Sequence, residues 1–318
     1  MIKYEFLVPA YKIDFLENSI VSMLNQTYKE FCVTISDDCS PYDLKSIVDQ
    51  YHDERIKYRR NEENIGSRNL VEHWNLLLSE ARGEFVIMAS DDDIYEPNFL
   101  EEMDKLITKY PNTDLFRCRV RNIDTKDEVI WEDSIYPEYQ DEISAICSYS
   151  TVCVGNYVYR TSALKKIGGF FNIEYAMGSD TATAILMASK GMCNTSEILF
   201  NYRISDFQIS HVSKSKKTDR EKMLAALKYH EWLYNYIEGL EYPRTTLNEI
   251  KVRRLIQTHV LNGLKHTARL YYGTLNIEEV ILLYKKMNKF RCFNRIIDKL
   301  VFILDYFKSK KMYNTSNK

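Results

Sequence analysis

Through the first third of the chain, short apolar runs alternate with stretches whose apolar residues recur every three to four positions, the signature of strands wound by crossover helices. Phe6-Leu7-Val8 reads as a first strand. Leu16, Ile20, Met23 and Leu24 then share one helix face, with Asp14 placed to cap it. Phe31 to Ile35 predicts a second strand, Leu44 to Tyr51 a short helix and Ile56 to Tyr58 a third strand. From Ser67 a helix carries Leu70, Val71, Trp74, Leu77 and Leu78 on one side and ends at Gly83, which suits a left-handed cap. Phe85-Val86-Ile87-Met88-Ala89 is a fully apolar strand that runs straight into acidic residues. Pro97 starts a further helix where proline costs least, and Asp114 to Val120 returns to strand.

Residues 121–150 are polar and aromatic with little period, which predicts an excursion over the sheet. Order resumes at Gly155 to Arg160, passes Gly168-Gly169-Phe170 and enters a helix from about Asp180 to Lys190. Near Ser213-Lys214-Ser215-Lys216-Lys217 the chain turns lysine-rich and poor in apolar residues, as a linker does. Beyond it the spacing is helical through Phe307. The expected architecture is α/β over residues 1–212, a mostly parallel sheet flanked by helices, with a helical extension over 213–318.

At 318 residues one large core plus a smaller appendage is the natural division, since single cores stop growing near about 250 to 300 residues. A formal charge of -2 gives no sign of a nucleic-acid binder. The amino terminus lacks the long apolar stretch of a signal peptide, and no run suits a membrane span, so a cytoplasmic protein is expected. Seven cysteines without a CxxC pair read as reduced core thiols.

Two acidic clusters follow predicted strands, Asp37-Asp38 after the second and Asp91-Asp92-Asp93 after the run from Phe85. Ligands of open α/β sheets bind beyond the carboxyl ends of strands, so both clusters should face one crevice. An acidic run by itself is more often a solvated turn or a helix cap. Here an apolar strand precedes it, a helix follows, and a second acidic pair stands at an equivalent strand end. Adjacent carboxylates repel one another unless water or a cation screens them, and oxygen-only ligands suit Mg2+ or Mn2+. Strand one is followed by Pro9-Ala10-Tyr11-Lys12, with no GxGxxG and no GxxxxGK[ST] nearby, which disfavours a dinucleotide dehydrogenase or a P-loop enzyme. A diphosphate would then be neutralised by metal, with help from a residue such as Arg68.

Taken in order, these segments resemble the family 2 glycosyltransferases of the GT-A fold, over residues 3–212. Phe6 to Tyr11 is similar to the opening strand and turn, with Pro9 and Tyr11 at the nucleotide sugar. Ile35 to Ser40 resembles the DDxS element, which implies base and ribose contacts for Asp37 and Asp38. Asn61 to Asn69 resembles the N-x-G…RN segment, which places Asn64, Gly66 and Arg68 along the nucleotide. Ala89 to Asp93 occupies the place of the DXD motif, and Gly168-Gly169-Phe170 with Ser179-Asp180 resembles the GGF…ED pair. The resemblance implies a nucleotide-binding half over 1–118 and an acceptor half over 119–212, with Gly169 and Phe170 beside the acceptor. It further implies inverting transfer from a nucleotide-diphosphate sugar, a UDP-sugar foremost, to a glycan or lipid-linked acceptor in polysaccharide biosynthesis.

Asp180 would serve as catalytic base, because an acceptor hydroxyl is a poor nucleophile until a carboxylate removes its proton. A Ser-Asp pair at a helix start is also an ordinary cap. Two departures from the family pattern stand out. Lys12 replaces the usual asparagine, a change that reads as conservative. Ser90 falls at the first aspartate when the final Asp-Asp-Ile is aligned, which makes Asp92 the metal ligand with Asp93 beside it and Asp91 toward the nucleotide. Literal D-x-D spacing would instead pair Asp91 with Asp93. Asn201 to Ser205 resembles the YR-x-H segment with Ser205 in place of histidine, and His211 is a candidate metal ligand or phosphate contact. Trp131 and Tyr136 could stack on an acceptor sugar.

From Leu282 to Lys318 ten lysines and arginines face only Asp298 and Asp305, among apolar residues at helical spacing. A basic amphipathic helix of this kind suits an anionic membrane surface, placing the protein on the inner face of the cell membrane, and equally suits packing on its own domain or on a second subunit in a homo-oligomer. The expected partners are a nucleotide-sugar donor and a glycan or lipid-linked acceptor. The alternative to an enzyme is a non-catalytic nucleotide-sugar binder or assembly scaffold, for which Asp180 would be dispensable.

Overall fold

The structure is a computed structural model that describes residues 2–148, 153–205, 215–290 and 296–315. Four parallel strands open it: β1 (Tyr4–Ala10), β2 (Phe31–Asp37), β3 (Ile56–Arg60) and β4 (Phe85–Met88). Helices α1 (Leu16–Leu24), α2 (Leu44–Val48) and α3 (Gly66–Glu80) join them. The order β3-β2-β1-β4 leaves β1 central, and nearly every residue of β1 is buried, as a strand covered on both faces requires.

The second half begins with β5 (Ile94–Tyr95), α4 (Phe99–Lys109), β6 (Leu115–Ile123), β7 (Val129–Glu132), β8 (Tyr139–Gln140) and α5 (Glu142–Cys147). It closes with β9 (Tyr157–Arg160), α6 (Thr161–Lys166), α7 (Ser179–Met187) and β10 (Met192–Arg203). The sheet reads β3-β2-β1-β4-β9-β6-β10-β5, with β9 antiparallel to both its neighbours and β6 parallel to β10. A buried aromatic cluster of Phe6, Tyr95, Phe99 and Phe200 locks β5 and α4 onto β1 and β10.

Several local expectations change. Asp14 does not cap α1; Phe15 holds the cap position without a side-chain bond, and its ring lies 4.1 Å beneath the Arg203 guanidinium. Helix α4 begins at Phe99, two residues past Pro97. Gly83 is not a left-handed cap, because α3 ends at Glu80 and Gly83 is absent from the positive-φ glycines. Its need is steric, since a Cβ there would lie 2.8 Å from both Glu5 Cβ and the Phe85 carbonyl. The stretch 121–150 is partly regular: β6 continues to Ile123 and pairs with β7, whose four exposed residues explain the missing period.

Two compact units result, one of residues 1–172 and 179–208, the other of 173–178 and 209–318. The second contains α8 (Lys216–Glu238), α9 (Thr246–Leu255), a π-helical turn over Ile256–Asn262, α10 (Gly263–Tyr271), α11 (Ile277–Lys289) and α12 (Ile296–Thr315). Its short strap 173–178 carries left-handed backbone at Tyr175 and Ala176 and is tied to α8 by Tyr175 on Glu221 and Glu174 on Lys228. That strap ends immediately before Ser179, the first residue of α7. The six described cysteines are free thiols, four of them buried. Among the described residues no helix is long and apolar enough to cross a membrane.

Candidate active site

The turn after β4 sends its three carboxylates in three directions. Asp91 Oδ2 accepts the backbone N–H groups of Tyr11 and Lys12 at 2.8 and 2.7 Å, fastening the turn after β1 to the turn after β4. Asp93 accepts the Arg203 N–H at 2.9 Å on one oxygen and the Ser90 hydroxyl at 2.6 Å on the other. Asp92 faces side-chain donors only: the Ser90 hydroxyl at 2.8 Å from Oδ1, its one proton shared with Asp93, and the Lys12 ammonium on Oδ2. Lys12 Nζ also stands 3.3 Å from Asp91 Oδ1. Burial pulls the Lys12 pKa down, but the neighbouring Asp91, Asp92 and Asp93 outweigh it and push it up to about 12. Burial raises the carboxyls of Asp91 and Asp93. Beneath the run, the buried Arg203 donates from Nε to the Asp92 carbonyl at 2.9 Å.

Among the described residues no three metal-ligating side chains converge on one point. Of the expected metal ligands Asp92 and Asp93, the second has one oxygen held by the Arg203 N–H. Backbone amides hold one oxygen each of Asp91 and Asp93, whereas the partners of the Asp92 carboxylate are the side chains of Ser90 and Lys12. A hard divalent cation bound through Asp92 alone would need phosphate oxygens or water to complete its shell. His211 lies outside the described residues.

The other acidic pair is saturated by fixed donors. Asp37, fully buried, accepts the Ser40 N–H at 2.7 Å, the Tyr58 hydroxyl at 2.6 Å and the Arg60 guanidinium. Asp38 accepts from Asn61 at 2.8 Å and from the backbone N–H groups of Ile65 and Gly66 at 3.0 and 2.6 Å. A Cβ on Gly66 would fall 2.8 Å from Asp38 Oδ2, so only glycine permits that approach. Asn64 accepts the Ser67 N–H at 2.7 Å and shapes the same turn. Burial lowers the His73 pKa, and its ring stands 2.9 Å from the Ser36 hydroxyl. Tyr11 keeps an exposed ring while its carbonyl accepts the Ser40 hydroxyl at 2.7 Å, and Pro9 precedes it near the end of β1. Arg68 sits in the first turn of α3, and its side chain lies outside the described part.

Asp180 occupies the first turn of α7, where its Oδ1 accepts the Thr181 N–H at 2.7 Å. Burial pushes its carboxyl up to about 6. Burial, with smaller contributions from Cys153, Asp93, Asp180 and Asp92, raises the phenol of the half-buried Tyr202. Gly168 and Gly169 have φ of +95° and +91°, and a Cβ on Gly169 would meet Asn75 Oδ1 at 2.4 Å. Asn75 pairs with both the N–H and the carbonyl of Phe170, at 2.7 and 2.9 Å. Phe170, expected beside an acceptor, instead buries its ring between Trp74 and Tyr159, because this turn clamps α3 to the sheet. Trp131 remains exposed on β7, while Tyr136 packs its ring 4.2 Å from the Arg117 guanidinium. Sequence reasoning passed over Asn75, reached Arg203 only as part of the segment resembling YR-x-H, and took Lys12 as conservative. The sign of the Lys12 charge, opposite to the acidic run, was the available signal.

Residues 6–168 match the family described as Glycosyl transferase family 2, and the chain belongs to that family. Its sequence is similar to the poly(ribitol-phosphate) beta-N-acetylglucosaminyltransferase TarS of Staphylococcus aureus, 26% identical over 201 residues. That alignment covers 60% of this chain and 34% of TarS, so the chain matches about a third of its relative's length. A shorter match, 38% identical over 96 residues, covers 29% of this chain and 30% of the GalNAc(5)-diNAcBac-PP-undecaprenol beta-1,3-glucosyltransferase of Campylobacter jejuni. Among solved structures, TarS 1–349 in complex with UDP-GlcNAc superposes with a TM-score of 0.59 at 18% identity, covering 98% of this chain and 92% of the other. The mannosyltransferase PcManGT of Pyrobaculum calidifontis, in complex with GDP-Man and Mn2+, gives 0.55 at 14% identity, over 99% and 88%. At these identities the likeness carries the fold, which is GT-A-like.

Proposed function

We propose that this chain transfers a sugar, with inversion, from a UDP-sugar to a glycan or lipid-linked acceptor. The observations that carry the proposal are Asp92 beyond the end of β4, held only by the side chains of Ser90 and Lys12, and a buried carboxyl, Asp180, in the first turn of α7. Asp180 accepts the proton of the acceptor hydroxyl as the new C–O bond forms at the anomeric carbon. The bond to the diphosphate breaks with its electron pair on the phosphate oxygen. A carboxyl lifted by burial to about 6 is basic enough to take that proton and still ionised at neutral pH. A bound Mn2+ or Mg2+ would supply Lewis-acid stabilisation of the departing diphosphate, held from the protein side by Asp92. The relatives that carry UDP-GlcNAc or GDP-Man with Mn2+ support this choice of donor class and metal.

The deciding test is Asp180→Asn. Turnover of nucleotide sugar should fall by about a hundredfold to ten-thousandfold, with UDP affinity measured by calorimetry retained. Unchanged function in the variant would leave the non-catalytic binder as the better account.

The helical unit supports contact with an anionic lipid surface. On α12 Ile296, Leu300, Ile303, Leu304 and Phe307 form an exposed stripe, while Phe302 and Tyr306 face inward. Lys299, Lys308, Lys310 and Lys311 lie on the same helix. Charge decides between partners: a second copy would bring lysines against lysines, whereas anionic headgroups would complement them. The full chain should float with vesicles containing phosphatidylglycerol and not with neutral ones. The exposed double substitution Leu300→Glu with Phe307→Glu should abolish flotation. Concentration-dependent dimers lost in that variant, with no flotation of either form, would assign the stripe to a second copy.

A further inference from the structure

The positive charge at the acidic run belongs to the chain itself. Lys12 presents its ammonium to Asp92 Oδ2 and stands 3.3 Å from Asp91 Oδ1, while its own backbone N–H is held by Asp91 at 2.7 Å. The side chain of Lys12 is 30% exposed against 5% and 10% for Asp91 and Asp92, so the ammonium caps buried carboxylates on the solvent side. The backbone anchor and the mobile head are thus separate. Asp91 fixes where the lysine starts, and a flexible stem of four carbons decides where its charge ends.

An ammonium and a divalent cation cannot both occupy Asp92 Oδ2. Asp91 Oδ2 and Asp93 Oδ1 are committed to the N–H groups of Tyr11, Lys12 and Arg203, and Asp91 Oδ1 faces the same Lys12 ammonium at 3.3 Å, so a cation approaching that oxygen also meets the lysine. An incoming diphosphate, by contrast, offers new anionic oxygens within the same cleft. Moving Lys12 onto them keeps its charge paired and frees Asp92.

We propose that Lys12 is a donor-site residue that guards Asp92: its ammonium holds the carboxylate in the free protein, then passes to the donor's diphosphate as the cation takes Asp92. This rests on the donor-site reading above and adds to it an order of events. The free protein binds cation weakly, and nucleotide and cation bind together.

The test is an Mn2+ titration of the full chain followed by electron paramagnetic resonance, without and with UDP, comparing wild type, Lys12→Asn and Lys12→Met. Without UDP both variants should bind Mn2+ about tenfold more tightly, a change worth 1.4 kcal/mol. In saturating Mn2+, calorimetry should show UDP bound about tenfold more weakly by both, since a charge-assisted contact to phosphate is lost. Unchanged Mn2+ affinity in the free variants overturns the guarding role, and unchanged UDP affinity overturns the passage to diphosphate. Asp92→Ala placed on Lys12→Asn should erase the gained Mn2+ site; its persistence would put the ion elsewhere and sink the proposal. If wild type binds no UDP at any Mn2+ concentration, the donor-site reading fails, while the UDP-free comparison still decides whether Lys12 and cation compete.

Discussion

Two acidic strand ends that look alike as sequence, Asp37-Asp38 after β2 and Asp91-Asp92-Asp93 after β4, end in different physical states. In the first, every carboxylate oxygen is engaged by backbone N–H groups or by Ser40, Tyr58, Arg60 and Asn61 neighbours that shape the surrounding turns. In the second, backbone N–H groups fasten one oxygen each of Asp91 and Asp93, and Asp92 is left with a hydroxyl and a lysine. The difference teaches that a carboxylate is available to a ligand when its partners can leave. Acidity alone does not make a site.

Breaking that contrast starts with the buried pair. Asp37→Ala should cost about 3 kcal/mol, because three donors lose their acceptor inside the protein, and urea unfolding would register it. A loss below about 1 kcal/mol would move Asp37 from scaffold to ligand. Asp91→Ala comes next at about 2 kcal/mol, the consequence of stranding two backbone N–H groups. Asp92→Ala should leave unfolding within about 0.5 kcal/mol of wild type yet weaken UDP binding in Mn2+ about tenfold. If Asp93→Ala gave that pattern instead, the ligand would be Asp93 and the spacing argument would reverse.

The smallest effect is a pH dependence. Asp180 must be ionised to act as base, so turnover should climb as pH rises through about 6 and level off above it. Stability runs the other way. Burial raises the carboxyl in the folded chain above its ordinary range, so the folded form holds the proton more tightly. The associated stability is complete below the unfolded value and fades as pH rises toward about 6. Asp180→Asn should flatten both slopes, which pH-rate profiles and melting curves would read separately.

The sheet, its crossover helices and the ordered motifs were legible because apolar period is a local property of consecutive residues. Strands β1, β2 and β4 and helices α3 and α7 lie close to where spacing puts them. Failures clustered where a residue answers to a distant partner. Gly83 is glycine because of Glu5, and Phe170 turns inward because Asn75 holds its backbone.

The sequence by itself determined that acidic groups would gather at the carboxyl ends of parallel strands, with a candidate base at the start of a later helix. Which of those groups stays available was decided only by tertiary structure. Asp37 meets Arg60 from 23 positions away, Asp91 meets the Tyr11 amide from 80, and Asp93 meets the Arg203 amide from 110. Hydrogen-bond partners at such separations are set by the register of the sheet, and they settle whether a carboxylate braces the fold or faces a ligand.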